Sequence, residues 1–93
     1  MADEKWEDLR VGDRIRFFAM PTGFSRDNCH EETLEAYRTL IARRRPVRVY
    51  ELDALMMPWI RFRVRLPDGR WEHHGLLINH DGWVRVRPRK GIA

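Results

Sequence analysis

The sequence is poor in cysteine and lysine, and it has no long apolar run. Because the one cysteine, Cys29, cannot form an internal disulfide, a disulfide-stabilised secreted scaffold is excluded and a reducing compartment is expected. No apolar run approaches the roughly 18 residues that cross a membrane, and the acidic start has no signal-peptide core. We therefore expect a cytoplasmic protein without a membrane partner.

Motifs for catalysis and metal binding are also missing. The chain has no phosphate-binding loop, no Gly-x-Ser-x-Gly motif and no cysteines or histidines at metal-ligand spacing. The adjacent histidines His73 and His74 fall on an expected strand, where successive side chains point to opposite faces, so they cannot share one ion. We expect no enzymatic activity, no metal and no cofactor.

The length and charge of the chain indicate one small basic domain. Its 93 residues suit a single domain, which we place at residues 9–89, with flexible segments at 1–8 and 90–93. Lysine and arginine total 18 against 14 acidic residues, a net charge of +4, and all but Lys5 and Lys90 are arginines. Guanidinium groups suit contacts with phosphates, carboxylates and aromatic rings.

Hydrophobic periodicity predicts five short strands and one helix. The strands are expected within 11–20 and at Val47–Leu52, Trp59–Leu66, Trp71–Ile78 and Trp83–Arg87. The helix is expected at about 31–44, between the first two strands, with Asn28 as its N-cap and Pro46 as its stop. Glutamates at its start and the run Arg43–Arg45 at its end complement the helix dipole.

Two Asp-Gly pairs, Asp68-Gly69 and Asp81-Gly82, predict two tight hairpins that join the last three strands. A two-residue turn at each would place Leu66 opposite Trp71 and Leu77 opposite Val86, all facing inward. The expected core consists of apolar residues from the helix and strands: Ile15, Phe17, Leu34, Ile41, Val47, Val49, Ile60, Phe62, Val64, Leu66, Trp71, Leu77, Val84 and Val86.

This arrangement resembles an SH3-like domain. The resemblance rests on Val11–Arg16, which is similar to the opening strand of many such domains, and on the meander Trp59–Arg87. It implies a mainly β fold, an SH3-like five-stranded partly open barrel, of an uncharacterised bacterial family for which no activity is implied. The helix departs from a standard SH3 domain, and the paired-tryptophan signature is not evident, so proline-peptide recognition is not implied.

The outward face of the last three strands interleaves arginine with aromatic residues. This pattern favours a binding or accessory module that docks a protein partner, because arginine and tryptophan are enriched in interface hot spots. Single-stranded nucleic acid, such as RNA, is an alternative, and a small structural subunit of a larger complex is another. The candidate binding residues are Trp59, Arg61, Arg63, Arg65, His74, Trp83, Arg85 and Arg87.

Overall fold

The computed structural model describes residues 5–87 and shows five antiparallel strands in one sheet with one α-helix. The elements are a 3-10 helix at Trp6–Asp8, β1 (Arg14–Phe17), α1 (Glu31–Arg43), β2 (Val47–Leu52), β3 (Pro58–Arg65), β4 (Trp71–Leu77) and β5 (Trp83–Val86). The strand order is β4-β3-β2-β1-β5, so β4 and β5 form the edges. The prediction of a mainly β fold is confirmed. Residues 90–93 and 1–4, where flexible ends were predicted, lie outside the described residues.

Strand β2 is shared between two parts of the sheet. Its first residues pair with β1, with Val47 opposite Ile15, and its later residues pair with β3, from Val49–Ile60 to Leu52–Pro58. The register with β3 shifts between Val49 and Glu51, which is a bulge or irregularity in that pairing. The pairs with β2 end at Ile60, whereas those with β4 continue to Arg65, so Phe62–Arg65 pairs with β4 alone as a two-stranded ribbon.

The hairpin between β3 and β4 has a three-residue loop, and the predicted two-residue turn is wrong. Arg65 lies opposite Trp71, and the Leu66 N–H donates to the Arg70 carbonyl at 2.8 Å. Gly69 closes the loop with φ +89°, a conformation that glycine adopts without a steric penalty. The extra residue reverses every side chain of β4 relative to the prediction. Trp71, expected in the core, is 42% exposed.

Strand β5 pairs with β1, and the predicted hairpin between β4 and β5 is wrong. Phe17 lies opposite Trp83 and Arg14 opposite Val86. The connection is anchored at the loop after β1, where the Gly82 carbonyl accepts hydrogen bonds from the Phe18 and Ala19 amides. Leu77 therefore faces Trp59 of β3 rather than Val86.

The core lies between the sheet and α1. Six predicted core residues are buried, namely Ile15, Phe17, Leu34, Val49, Ile60 and Phe62. Buried apolar residues that the predicted core omitted are Leu9, Ala36, Tyr37, Leu40, Ile78 and Trp83. Trp83 was expected to face outward, and its pairing with Phe17 accounts for its burial. The reversal of β4 likewise turns Ile78 inward, where its N–H donates to the Pro58 carbonyl.

Helix α1 begins at Glu31 after His30, whose side chain makes no capping hydrogen bond. The predicted N-cap, Asn28, instead bonds within the preceding loop, donating to the Gly23 carbonyl and accepting from the Ser25 amide. The helix ends at Arg43, and Arg44 turns the chain with φ 56°. This ending brings Arg43 and Arg45, but not Arg44, beside the ribbon of β3 and β4.

Candidate functional site

Three arginines point outward from one side of β3. Arg61, Arg63 and Arg65 occupy alternate positions, so neighbouring side chains leave the strand about 6.6 Å apart, and all three are exposed. Aromatic side chains and a histidine from β2, β3 and β4 share this surface. We call it the arginine face, and its members are Tyr50, Trp59, Arg61, Arg63, Arg65, Trp71 and His73.

Each of these guanidinium groups lies over an aromatic ring. The Arg61 guanidinium carbon is 4.5 Å from the centre of the Tyr50 ring. Those of Arg63 and Arg65 lie 4.1 Å and 4.9 Å from the Trp71 ring. Such stacking holds a cationic side chain over the negative face of the ring. Stacking uses the flat face of the guanidinium group, so its in-plane N–H groups remain the atoms that can donate to a carboxylate or a phosphate.

A concave surface adjoins the arginine face between the end of α1 and the ribbon of β3 and β4. It has a volume of about 650 Å³, with an apolar floor and four arginines at its rim. We call it the arginine hollow, and it is lined by Leu40, Arg43, Arg45, Pro46, Val47, Arg63, Arg65 and Trp71. Arg43 lies 5.8 Å above the Phe62 ring and donates from Nη2 to the Arg63 carbonyl at 2.6 Å.

The arginines of this region have no acidic partner within residues 5–87. Ion pairs to carboxylates form elsewhere, as in Arg38 with Glu31 and Glu35 and Arg70 with Asp68. In the described part of the chain, no carboxylate lies within 4.0 Å of the guanidinium groups at the face and hollow, which belong to Arg43, Arg45, Arg61, Arg63 and Arg65. Five positive charges therefore share one surface, and no acidic residue of 5–87 forms an ion pair with them.

The structure brings four of the predicted site residues together: Trp59, Arg61, Arg63 and Arg65. Trp59 is half-buried, and its Nε1–H donates to Asp53 Oδ2 at 2.9 Å. This hydrogen bond, together with the Met57 and Leu55 amides, holds the pKa of Asp53 below its usual value. Trp59 is thereby fixed at one end of the arginine face.

Other predicted site residues lie elsewhere, because the hairpins differ from those expected. Trp83 is only 4% exposed, and its Nε1–H donates to the His80 carbonyl at 2.7 Å, so its predicted outward placement is wrong. His74 is also misplaced, since it stacks on Phe62 on the opposite side of the sheet with ring centres 5.1 Å apart. His74 Nε2 lies 2.8 Å from Glu72 Oε1.

The two remaining predicted residues are on β5 and just after it. Arg85 is half-buried, with its guanidinium 3.1 Å from the Asp8 carbonyl and 3.7 Å from Asp13. Arg87 is exposed beyond the end of β5. Because β5 is at the far edge of the sheet from β4, neither residue extends the arginine face.

Five polar or aromatic residues of the face and the hollow were missed by sequence reasoning: Arg43, Arg45, Tyr50, Trp71 and His73. The run Arg43–Arg45 was visible in the sequence but was interpreted only as a complement to the helix dipole. Trp71 was assigned to the core by the incorrect turn. A three-residue loop at Pro67–Gly69 would have placed Trp71 beside Arg65, so the choice of turn was the missing signal.

A second group of polar and aromatic side chains lies at the other end of the sheet. We call it the aromatic cluster, and it consists of Phe17, Phe24, Tyr37, His80 and Trp83. The His80 Nδ1–H donates to the Asp81 carbonyl at 2.8 Å, and this leaves Nε2 as the acceptor for the Tyr37 hydroxyl at 2.5 Å. Burial lowers the pKa of His80 and raises that of Tyr37. These polar groups bond to one another and support the fold.

Residues 5–87 contain neither a cluster of metal-binding side chains nor a membrane-crossing helix. No group of three or more histidine, cysteine, aspartate or glutamate side chains there could hold a metal ion. No helix in this range has the length and apolar character needed to cross a membrane. Comparison of the chain with protein-family models, curated proteins and solved structures finds no match.

Proposed function

We propose that the protein is a non-catalytic binding module that docks an acidic segment of a protein partner. The observation that carries this proposal is the set of five arginines without acidic partners in the described residues, arranged around a hollow with an apolar floor. Carboxylates suit the paired N–H groups of a guanidinium, and apolar side chains suit Pro46 and Val47. Protein interfaces combine these two kinds of contact.

We also propose that the sheet is an SH3-like, partly open barrel. The bulge in the pairing of β2 with β3 supports this fold, because a bulge bends the strand and increases the twist of the sheet. Strands β4 and β5 would then be its two open edges. In this fold the arginine face lies on β3 and β4, and the hollow lies on the β2 side of the end of β3.

Single-stranded nucleic acid is the second candidate ligand. The regular spacing of Arg61, Arg63 and Arg65 favours it, since a strand of equally spaced cations suits a repeating phosphate backbone. However, nucleic-acid surfaces of this type also need exposed rings on which bases stack. Here Arg61, Arg63 and Arg65 already stack on the rings of Tyr50 and Trp71, so a base would compete with them, and Trp83 is buried. The geometry therefore favours carboxylates over bases.

The two candidates can be separated with probes of equal charge. Fluorescence anisotropy would compare an oligo-glutamate peptide with an oligo-uridine of the same nominal charge, at one salt concentration. We expect the peptide to bind at least as tightly as the oligonucleotide. The double variant Arg63→Gln/Arg65→Gln should weaken peptide binding about tenfold, equivalent to about 1.4 kcal/mol.

The control is Arg26→Gln/Arg38→Gln, which removes the same charge from a remote surface where both arginines already pair with Glu31. This variant should leave peptide binding nearly unchanged. If the two double variants lost the same peptide affinity, binding would depend only on net charge and the proposed site would be wrong. Tighter binding of the oligonucleotide than of the peptide would favour the nucleic-acid function instead.

A further inference from the structure

The end of β3 has a free edge that faces the arginine hollow. The Leu66 N–H donates to the Arg70 carbonyl, toward β4. Backbone groups alternate in direction along an antiparallel strand, so the N–H and C=O groups of Arg63 and Arg65 point away from β4. On that side the register with β2 has already ended at Ile60. The backbone of β3 therefore presents hydrogen-bonding groups to the hollow.

One of these groups is already used by a side chain. Arg43 Nη2 donates to the Arg63 carbonyl at 2.6 Å, and a backbone N–H from a neighbouring strand would donate in the same place. The Arg43 guanidinium thus substitutes for a strand partner. If a strand entered the hollow, its amide would replace this hydrogen bond and release Arg43 to contact a carboxylate.

We propose that the acidic partner binds as an extended segment that adds a β-strand alongside Phe62–Arg65. This inference rests on the proposed function and specifies how the partner is recognised. Backbone hydrogen bonds to a free strand edge give affinity, and alternating side chains give specificity. Four residues of β3 span about 13 Å, which sets the minimum length of the paired segment.

The two sides of the hollow specify an alternating sequence for this segment. Side chains on one face of an added strand would meet the accessible apolar side chains of Pro46 and Val47, which lie over the buried Leu40. Side chains on the other face would share the side of the sheet that carries Arg63 and Arg65. Because successive side chains of a strand point to opposite faces, the segment should alternate acidic and apolar residues.

The test uses two synthetic peptides that alternate glutamate and valine and differ only in their backbone. One has ordinary amides, and the other is N-methylated at alternate residues so that those amides cannot donate. Binding is followed by anisotropy and by the amide resonances of the protein. We expect the ordinary peptide to bind about tenfold more tightly and to shift the amides of Arg63 and Arg65.

Two variants at one position test the backbone contact from the protein side. Arg65→Ala removes the guanidinium but keeps the N–H that faces the hollow, whereas Arg65→Pro removes both. Because the Arg65 N–H points away from β4, proline there keeps the ladder to β4, and circular dichroism checks that each variant is folded. Arg65→Pro should bind the ordinary peptide about tenfold more weakly than Arg65→Ala.

The outcomes distinguish strand addition from acidic docking in general. If both peptides bind equally, and the alanine and proline variants also bind equally, docking stands and strand addition is overturned. If neither peptide binds, both proposals fail, and oligo-uridine binding would then assign the surface to nucleic acid. Preference for the ordinary peptide together with the loss in Arg65→Pro supports both proposals.

Discussion

The aromatic cluster and the arginine hollow are both rich in polar groups, but they use them differently. In the aromatic cluster, Tyr37, His80 and Trp83 bond to one another or to nearby backbone. In the hollow, Arg43 bonds to the Arg63 carbonyl, and the guanidiniums have no carboxylate partner within residues 5–87. Polar groups that satisfy one another stabilise a fold, whereas charges left toward solvent are available for recognition.

This contrast predicts that the two regions respond differently to substitution. Changes in the aromatic cluster should lower the free energy of unfolding and leave peptide binding to the folded protein intact. Changes in the hollow should weaken peptide binding and leave the free energy of unfolding nearly unchanged. The predictions below test this separation from the largest expected effect to the smallest.

The largest loss of stability is expected from Tyr37→Ala. The Tyr37 side chain is 2% exposed and contacts the rings of Phe17, Phe24 and His80, so its removal leaves a cavity. Truncation of a buried aromatic residue costs about 3–5 kcal/mol. Urea unfolding would measure this loss in the free energy of unfolding. The control is Trp71→Ala, which truncates a ring that is 42% exposed and should cost less than about 1 kcal/mol. Equal losses at both positions would contradict the proposed separation.

Gly82→Ala should come next, because the glycine lies where the aromatic cluster joins β5. Gly82 has φ +94°, and an added Cβ would lie 2.4 Å from the Ala19 carbonyl oxygen. Backbone strain and the steric clash together should cost about 3 kcal/mol. The matched control is Gly12→Ala, with φ +95° and no atom within 4 Å of the added Cβ, where about 1 kcal/mol is expected. Because the two glycines have nearly the same φ, the difference between the two losses in free energy of unfolding, measured by chemical denaturation, gives the cost of the clash.

Acid should destabilise the aromatic cluster through His80. Burial lowers the pKa of His80 in the folded protein below 6.5, so the unfolded chain binds more protons between the two pKa values. Stability is therefore greatest above pH 6.5 and falls as the pH drops through that value. Urea unfolding between pH 7.5 and 5.5 should show this fall, and His80→Gln should flatten it. If the free energy of unfolding of His80→Gln depended on pH as steeply as that of the unsubstituted protein, the loss of stability in acid would belong to another group.

The smallest change in stability is expected from Arg63→Gln/Arg65→Gln. Both side chains are exposed and lack carboxylate partners in the described range, so unfolding should change by less than about 0.5 kcal/mol for each substitution. The same double variant is expected to weaken peptide binding about tenfold. A large drop in stability would show that stacking on Trp71 supports the fold and would weaken the case for a recognition surface.

The sequence predicts individual strands better than their partners. Local alternation locates β2, β3 and β5 to within a residue or two, because one-sided burial determines side-chain periodicity. The length of the turn at Pro67–Gly69 is harder to predict from the sequence, because an Asp-Gly pair fits both a two-residue turn and a three-residue loop with glycine at its end. The segment Trp71–Ile78 has no clear alternation that would decide between them. One residue in this loop determines whether Trp71 or His74 joins the arginine face.

The pairing of β5 with β1 depends on contacts that are distant in the sequence. The Asp81 carboxylate accepts hydrogen bonds from the Thr22 amide and hydroxyl, and these bonds lower the pKa of Asp81. Residues so far apart are joined only by the complete fold, so local patterns favour the nearer partner, β4. For the same reason, the sequence could not show that the end of α1 adds Arg43 and Arg45 to the surface.

The hydrogen bond from Arg43 to the Arg63 carbonyl also bears on solubility. A free strand edge is the place where identical chains join edge to edge and aggregate. The Arg43 side chain blocks part of this edge, and a second copy would bring the same positive charges against it. The charges proposed to attract an acidic partner therefore also oppose self-association of the protein.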